Sequence, residues 1–258
     1  MNILFWNLHE KNLGDLLVKA LRSNKYDLLF FSEYQNTDMH EVVTKADSEY
    51  QCISSMGGTK RITAICSEKY DVVVLQSNAR FVIYRVNIQG TSYLISVVHL
   101  SDKRNDSDGI MRENQIRDLV FALHSFELEY KYRSIIIGDF NAEPYDREML
   151  SKFGMNAVLF KKEILKHETV NIDGHRVRRF YNPTLSSISE EVQQYGSYRL
   201  DGPVSPIWHC LDQVVMRKAM ITYFENVQYL KKIANISLMK DLNPKYSDHL
   251  PLLIRFKL

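Results

Sequence analysis

Short, continuously apolar segments rich in β-branched and aromatic residues are the feature that most constrains the fold of this chain. Such runs are typical of strands that are buried on both faces of a sheet, because neither face then carries polar side chains. The expected strands are residues 2–6, 27–32, 62–66, 72–75, 81–86, 93–98, 134–137, 213–215 and 252–256. A chain of 258 residues is long enough to bury them in one core, so we expect a single domain over residues 1–258.

Other segments repeat their apolar residues at helical spacing. Residues 13–22 and 114–127 each place their apolar side chains on one face, and a third, short helix is expected near Asp146. Helices separate some strands and not others, which predicts a mixed α/β (α+β) fold rather than a regular alternation. Residues 161–209 are the least regular, and Asp173-Gly174 within them is typical of a hairpin turn.

Composition excludes several classes of protein. No apolar run reaches the roughly 18 residues of a membrane span, so none is expected. The three cysteines are widely spaced, which fits neither a disulfide framework nor a zinc motif. The N-terminus lacks the pattern of a secretory signal, and a cytoplasmic location is therefore expected. A net charge of +2 does not indicate nucleic-acid binding by itself, although it permits a local basic patch.

Polar side chains that can bind metal or transfer protons follow one apolar strand after another. They are Asn7, Glu33, His99, Asp139, Asn141, Asp248 and His249. If the strands share sheets, their ends can meet at one rim, where Asp139 and Asn141, two positions apart, would point to the same side. Each residue alone has a structural explanation, such as a turn asparagine or a hydrogen-bonded core histidine. Their coincidence in one chain favours a functional site.

The same residues resemble the motifs of the endonuclease/exonuclease/phosphatase family. Gly138-Asp139-Phe140-Asn141-Ala142-Glu143-Pro144 resembles its GDFN-x-x-P motif, and Ser247-Asp248-His249-Leu250-Pro251 resembles its closing SDH-x-P motif. Weaker matches are Trp6-Asn7, Glu33 with Gln35, Val98-His99-Leu100, Arg112 with Gln115, and Leu211-Asp212-Gln213. The matches follow the family's order over almost the whole chain. The resemblance implies a DNase I-like fold, a four-layer αββα sandwich with the site at one edge of both sheets.

The resemblance also implies hydrolysis of phosphodiester bonds by an activated water, with Mg²⁺ as cofactor and Mn²⁺ as a possible substitute. The implied metal ligands are Glu33, Asn7 and Asp248, which fit the preference of Mg²⁺ for hard oxygen donors. The implied catalytic residues are Asp139, Asn141, His249, His99 and Asp212. Asp139 would orient and deprotonate the water, and Asn141 would donate to a phosphoryl oxygen.

The two histidines are expected to have different partners. Asp212 would pair with His249, fix its tautomer and favour its charged form. His99 would face the phosphate, and Glu68 is the carboxylate considered for it, although its placement does not follow from the sequence. Abasic-site endonucleases of the family carry a tyrosine in place of His99 and an aspartate in place of His9, which argues against that activity.

Substrate contacts are expected from Arg112, Trp208, Arg178 and Arg179. The last two lie in a basic run followed by aromatic residues at 180 and 181, which could follow a phosphate backbone and stack on a base. The alternative is a solvated hairpin with two core aromatics. Trp208 fits core packing equally well. Lys60-Arg61 fits either a basic rim or an ordinary solvated surface.

The residues and motifs are compatible with three functions. A nuclease acting on DNA or RNA is the first. The alternative is a phosphatase or phosphodiesterase acting on a small phosphorylated molecule or a lipid headgroup. A binding protein that keeps the fold without catalysis is the third, and the presence of every expected site residue argues against it.

Overall fold

Every apolar run expected to be a strand forms one in the computed structural model, which describes residues 1–23, 25–47, 49–53, 61–191, 195–200 and 207–258. The strands, β1 to β21 in chain order, are Asn2–Asn7, Leu28–Ser32, Tyr50–Ile53, Ile62–Ser67, Asp71–Ser77, Phe81–Ile88, Thr91–His99, Ser134–Asp139, Ala157–Val158, Thr169–Ile172, His175–Arg178, Phe180–Tyr181, Tyr198–Leu200, Ile207–His209, Asp212–Met216, Phe224–Tyr229, Lys232–Ile233, Ile236–Ser237, Met239–Lys240, Asn243–Pro244 and Leu252–Phe256.

Most of these strands belong to two mixed sheets. The first sheet has the order β16-β21-β1-β2-β4-β3, and the second has the order β5-β6-β7-β8-β15-β12-β9. Neighbouring strands are antiparallel except for the pairs β1–β2, β7–β8 and β9–β12. The hairpin β10–β11 turns at Asp173-Gly174, where both residues have positive φ angles of 48° and 83°. The expected turn is therefore confirmed.

The helices, α1 to α5 in chain order, are Gly14–Arg22, Met39–Ala46, Ile110–Glu127, Arg147–Leu150 and Lys161–Lys166. The first, third and fourth were expected from the sequence, although α3 begins earlier than its apolar spacing indicated. Helix α2 was not expected; the side chain of Asp38 caps it by accepting from the backbone N–H groups of His40 and Glu41 at 2.9 and 3.1 Å. None of the helices described is long and apolar enough to cross a membrane.

The side chains of β8 show how the layers are stacked. Ile135 and Ile137 belong to the large apolar cluster that contains the first sheet and α1, whereas Ile136 belongs to a second cluster with Ile116 and Leu119 of α3. Successive residues of a strand point to opposite faces of its sheet. The second sheet therefore lies between the first sheet and α3, which gives the expected four-layer αββα sandwich.

Candidate active site

The register of the strands brings the expected polar residues to one edge of both sheets. In the second sheet, His99 is paired with Asp139 across β7 and β8, and Asp139 is paired with Asp212 across β8 and β15. In the first sheet, Asn7 is paired with Ser32 at the ends of β1 and β2, and Glu33 follows directly. Both sheets thus end in a row of polar side chains that face the same space.

Close approach of β7 and β8 depends on the glycine that precedes Asp139. Gly138 has a φ of +146°, and a Cβ atom there would lie 2.1 Å from the carbonyl oxygen of Val98. A side chain at this position would push the two strands apart. The glycine of the GDFN motif therefore lets His99 and Asp139 lie side by side.

Asp139 is at the centre of the cluster and is almost fully buried. Its Oδ2 accepts a hydrogen bond from Asn7 Nδ2 at 3.0 Å and lies 4.0 Å from His99 Nε2. Its Oδ1 accepts the backbone N–H of Asn141 at 2.9 Å. Asn141 has a left-handed backbone, with φ of 49°, and one N–H of its amide donates to the carbonyl oxygen of Leu100 at 3.0 Å.

The carboxylate beside His99 is Glu33, with Oε1 3.1 Å from His99 Nε2. Glu68, considered from the sequence, follows the far end of β4, because β4 runs antiparallel to β2 and its first residue, Ile62, is paired with Ser32. Burial raises the pKa of Glu33, but hydrogen bonds from His99 and Asn7 outweigh it and lower the pKa to about 2. Glu33 is therefore charged at neutral pH.

Asn7 makes a contact that its motif did not indicate. Its amide nitrogen donates to Glu33 Oε1 at 3.1 Å as well as to Asp139, and its oxygen accepts the backbone N–H of His9 at 2.9 Å. The expected role of Asn7 as a metal ligand needs its oxygen. In this structure its nitrogen faces the cluster and holds the two carboxylates together.

His249 and Asp212 form a buried pair, with Nδ1 and Oδ2 2.6 Å apart. The backbone holds both partners: the Asp212 N–H donates to Ser197 Oγ at 3.1 Å, and the Trp6 indole donates to the His249 carbonyl oxygen at 2.9 Å. Burial alone would lower the pKa of His249, but the facing Asp212 carboxylate raises it to about 10. The imidazole is therefore a cation at neutral pH, with Nε2 left as a donor.

Asp248 lies on the other side of the cluster, beside a histidine that the sequence did not single out as a site residue. His9 Nδ1 is 3.2 Å from Asp248 Oδ2 and 3.8 Å from Glu33 Oε2. His9 has a left-handed backbone, with φ of 50°, just after β1. The His9 side chain thus lies between the carboxylates of Glu33 and Asp248.

The donor atoms fit a hard divalent cation. Glu33, His99 and Asp139 each offer a donor atom within 4.8 Å of the others. Two of these three donors are carboxylate oxygens, as Mg²⁺ and Mn²⁺ prefer. Asp212 Oδ1 is also buried without a hydrogen-bond partner among the described residues, so it too is free to accept.

An open cavity of about 670 Å³ lies over this cluster. The expected site residues that line it are Glu33, His99, Asp139, Asn141, Asp248 and His249. Its walls carry further side chains that the sequence analysis did not assign to the site. Tyr198 stacks beside His249 with ring centroids 4.9 Å apart, and His209 pairs with Glu143 Oε1 at 2.6 Å. His209 and Glu143 are 66 residues apart, so the sequence does not connect them. The only sequence signal for His209 is its position just before Leu211-Asp212.

Arg112 is one of four expected substrate contacts that the structure does not bring to the cavity. It is a buried residue of the first turn of α3, where its Nε donates to Glu148 Oε1 at 2.7 Å and its Nη1 donates to the Asp106 carbonyl oxygen at 2.9 Å. Its guanidinium thus ties the loop after β7 to α4.

The other three substrate candidates also lie away from the cavity. Arg178 pairs with Glu168 and stacks on Tyr132, while Arg179 Nη1 donates to Glu163 Oε1 at 3.1 Å. The aromatics at 180 and 181 are both buried, which agrees with the alternative of a hairpin followed by core aromatics. Trp208 packs against the large apolar cluster, with its ring centroid 6.1 Å from that of Tyr195. Lys60 lies outside the described residues, whereas Arg61 lines the cavity.

Comparison with known proteins rests on structure, because no family model and no curated protein matches the sequence. The endonuclease domain of TRAS1, a telomere-specific non-LTR retrotransposon, superposes with a TM-score of 0.58 at 12% identity, covering 100% of this chain and 98% of that one. TDP2 from D. rerio, complexed with single-strand DNA product, gives 0.62 at 14% identity, covering 100% and 99%. The chain has a DNase I-like fold. The 3′ phosphatase NExo from Neisseria, bound to a product DNA hairpin, gives 0.61 at 17% identity and full coverage of both chains.

Proposed function

We propose that this chain is a divalent-metal-dependent phosphoesterase that hydrolyses phosphodiester bonds of DNA or RNA by direct attack of water. The observation that carries the proposal is the buried Asp139 carboxylate, held by Asn7 and flanked by His99 and the Asp212–His249 pair on the floor of an open cavity. The DNase I-like neighbours include an endonuclease domain, a protein bound to single-strand DNA product and a 3′ phosphatase bound to a DNA hairpin, which supports nucleic acid as the substrate.

Glu33 and Asp248 are the residues that we propose hold the metal. Mg²⁺ or Mn²⁺ bound there would neutralise charge on the phosphoryl oxygens. Asn7 helps by donating to Glu33 and Asp139 together, which keeps two like charges close before a cation arrives. Glu33, with a pKa of about 2, needs no deprotonation in order to bind it.

Asp139 is proposed to accept the proton of the attacking water. Its Oδ1 is fixed by the backbone N–H of Asn141, and its Oδ2 is directed toward Asn7 and His99. A carboxylate with both oxygens fixed in this way does not rotate, and it can therefore hold a water in one orientation. Asn141 keeps a second amide N–H, which we propose donates to a phosphoryl oxygen.

His249 is proposed to donate its Nε2 proton to the phosphoryl or leaving oxygen. Asp212 holds Nδ1 at 2.6 Å and keeps the ring charged, so that the proton is available at neutral pH. Negative charge develops on these oxygens as the bond breaks, and a fixed cationic donor stabilises that charge more than it stabilises the substrate.

Hydrolysis of single- and double-stranded DNA and RNA tests the proposal, with Mg²⁺ or Mn²⁺ present and with EDTA as the comparison. We expect metal-dependent cutting that Asp139→Asn abolishes while the fold is retained. Asp118→Asn, the same chemical change on the exposed face of α3, is the matched control and should keep wild-type activity. His249→Ala should reduce kcat at least about a hundredfold, the scale of losing an acid–base or electrostatic group.

Two results would contradict the proposal in different ways. Near-normal activity of Asp139→Asn would remove Asp139 from the role of water-activating residue. Absence of cutting by folded, metal-binding protein would instead favour a small phosphorylated substrate, to be sought among nucleotides, inositol phosphates and phospholipid headgroups.

A further inference from the structure

Two arginines face the cavity from different sheets. Arg61 directly precedes β4 of the first sheet, and Arg80 lies in the turn between β5 and β6 of the second sheet. Both line the cavity that contains Asp139. They therefore face the same space from the two sheets as the cluster of carboxylates does.

Backbone hydrogen bonds fix each arginine to a residue of the cluster. The carbonyl oxygen of Arg61 accepts the N–H of Glu33 at 3.3 Å, and that of Arg80 accepts the N–H of His99 at 2.9 Å. The backbone of each arginine is thus hydrogen-bonded to one member of the Glu33–His99 pair. A ligand bound at Asp139 would share the cavity with both side chains.

Neither guanidinium has a hydrogen bond or an ion pair among the residues that the structure describes. The two buried arginines differ: Arg112 pairs with Glu148, and Arg217 pairs with Glu127. Asp102 is the carboxylate whose charge acts on Arg80. Its oxygens already accept hydrogen bonds from Arg104 and Asn105.

The two like charges also disfavour each other. Partial burial lowers the pKa of Arg80, and the neighbouring charge of Arg61 lowers it further. An anion between the two groups removes this repulsion and satisfies their free donors. A planar guanidinium fork matches the oxygens of a phosphate, which makes phosphate the anion that this pair fits best.

We propose that Arg61 and Arg80 together bind a second phosphate group of the substrate, next to the one that is hydrolysed. This inference rests on the proposed phosphodiester hydrolysis, because it assumes that the Asp139 cluster holds the reacting phosphate. The carboxylates there require a metal to accept an anion, whereas the arginine pair accepts one directly. The preferred substrate therefore carries at least two phosphates, as an oligonucleotide does and a simple phosphate monoester does not.

Dinucleotides that differ by one terminal phosphate test the proposal. Thymidylyl-thymidine is compared with the same dinucleotide carrying an additional 5′-phosphate and, separately, an additional 3′-phosphate. Cleavage of the internal linkage is followed by chromatography, so that loss of the terminal phosphate is not counted. For the wild-type protein we expect kcat/KM to be about tenfold higher or more for one of the phosphorylated forms, the effect of one or two charge-assisted hydrogen bonds.

The variants show whether that preference comes from the arginine pair. In Arg61→Ala/Arg80→Ala the ratio should fall to within about twofold of unity, chiefly through a higher KM for the phosphorylated form. Arg61→Lys/Arg80→Lys should give an intermediate ratio, because lysine keeps the charge and loses the fork. Arg117→Ala, on the exposed face of α3, is the control and should leave the ratio at its wild-type value.

Binding separates a failure of this inference from a failure of the proposed function. The Kd of each dinucleotide is measured with Asp139→Asn protein and compared with Asp139→Asn protein that also lacks both arginines. If the unphosphorylated dinucleotide is cleaved but a terminal phosphate improves neither kcat/KM nor Kd, or if the double variant keeps the preference, the arginine subsite is wrong and phosphodiester hydrolysis stands. If nothing is cleaved and the arginine-dependent preference persists in Kd, the subsite stands and the proposed hydrolysis is wrong.

Discussion

Gly138→Ala is expected to damage both the stability and the activity of the protein. The new Cβ atom would lie 2.1 Å from the Val98 carbonyl oxygen and 2.8 Å from the Val98 nitrogen, and both distances are shorter than an ordinary contact at 3.4 Å. Both neighbours are backbone atoms of the parallel pair β7–β8, so neither can rotate away. The strands must separate, and the separation falls at the register position beside His99 and Asp139.

The size of the effect follows from two terms. Overpacking of this kind costs about 1–3 kcal/mol, and a non-glycine residue held at a φ of +146° adds about 1–3 kcal/mol. A loss of roughly 3 kcal/mol lowers the urea midpoint by about 1–2 M at a typical dependence on denaturant. Displacement of Asp139 by about 1 Å would also reduce kcat by roughly a hundredfold.

Urea unfolding followed by circular dichroism measures the first effect, and single-turnover hydrolysis of an oligonucleotide by the folded protein measures the second. Gly90→Ala is the matched control: Gly90 also has a positive φ, of 79°, but a Cβ atom there meets nothing within 4 Å. It should cost only the backbone strain, about 1–2 kcal/mol, and leave activity intact. If Gly138→Ala unfolds at the same urea concentration as Gly90→Ala, the argument from close strand approach is refuted.

Three further outcomes are expected. Glu127→Gln should lower the free energy of unfolding by about 3–5 kcal/mol, because it leaves the buried Arg217 guanidinium without its carboxylate. The control is Glu41→Gln, which breaks an exposed ion pair within α2 and should cost less than about 1 kcal/mol; urea unfolding measures both. Burial raises the pKa of Asp27, but hydrogen bonds from Lys69 and a backbone N–H outweigh it and lower the pKa, so its stabilisation is present above pH 4 and is lost as the pH falls through the folded value. The stability difference between wild type and Asp27→Asn should therefore shrink below pH 4, and a constant difference would contradict the assignment. Chelator-treated protein should gain thermal stability when Mg²⁺ or Mn²⁺ is added, by about 2.7 kcal/mol at a hundred times Kd, and an unchanged melting curve would count against the metal site.

The core strands could be predicted from the sequence because burial on both faces leaves a continuous apolar run. Strand β16, Phe224–Tyr229, was missed because apolar and polar residues alternate in it, as expected of a strand at the edge of the first sheet. Helix α2 was missed because it is short: its eight residues bury only Met39, Val42 and Ala46. Residues 161–209 were expected to be irregular, yet they contain α5 and the β10–β11 hairpin as well as loops.

The floor of the site could be anticipated because its residues stand in recognisable motifs at strand ends. The walls of the cavity could not be anticipated, because their residues are far apart in the sequence and come together only in the folded protein. The direction of β4 decides that Glu68 lies at the far end of the sheet, the contact of Glu33 with His99 joins the two sheets, and the pairing of His209 with Glu143 joins positions 66 residues apart. Arg112 shows the reverse case: a motif arginine lies away from the cavity because Glu148, which the sequence does not connect with it, pairs with it in the interior.

Hydrolysis in ¹⁸O-labelled water shows whether water attacks the phosphodiester bond at the Asp139 cluster. An oligonucleotide is cut once by an excess of protein with Mg²⁺, and the product phosphate is analysed by mass spectrometry. We expect one ¹⁸O atom in the product phosphate for each bond cleaved, and no labelled product with Asp139→Asn. Cleavage without incorporation of ¹⁸O, or labelled product from the Asp139→Asn protein, would contradict it.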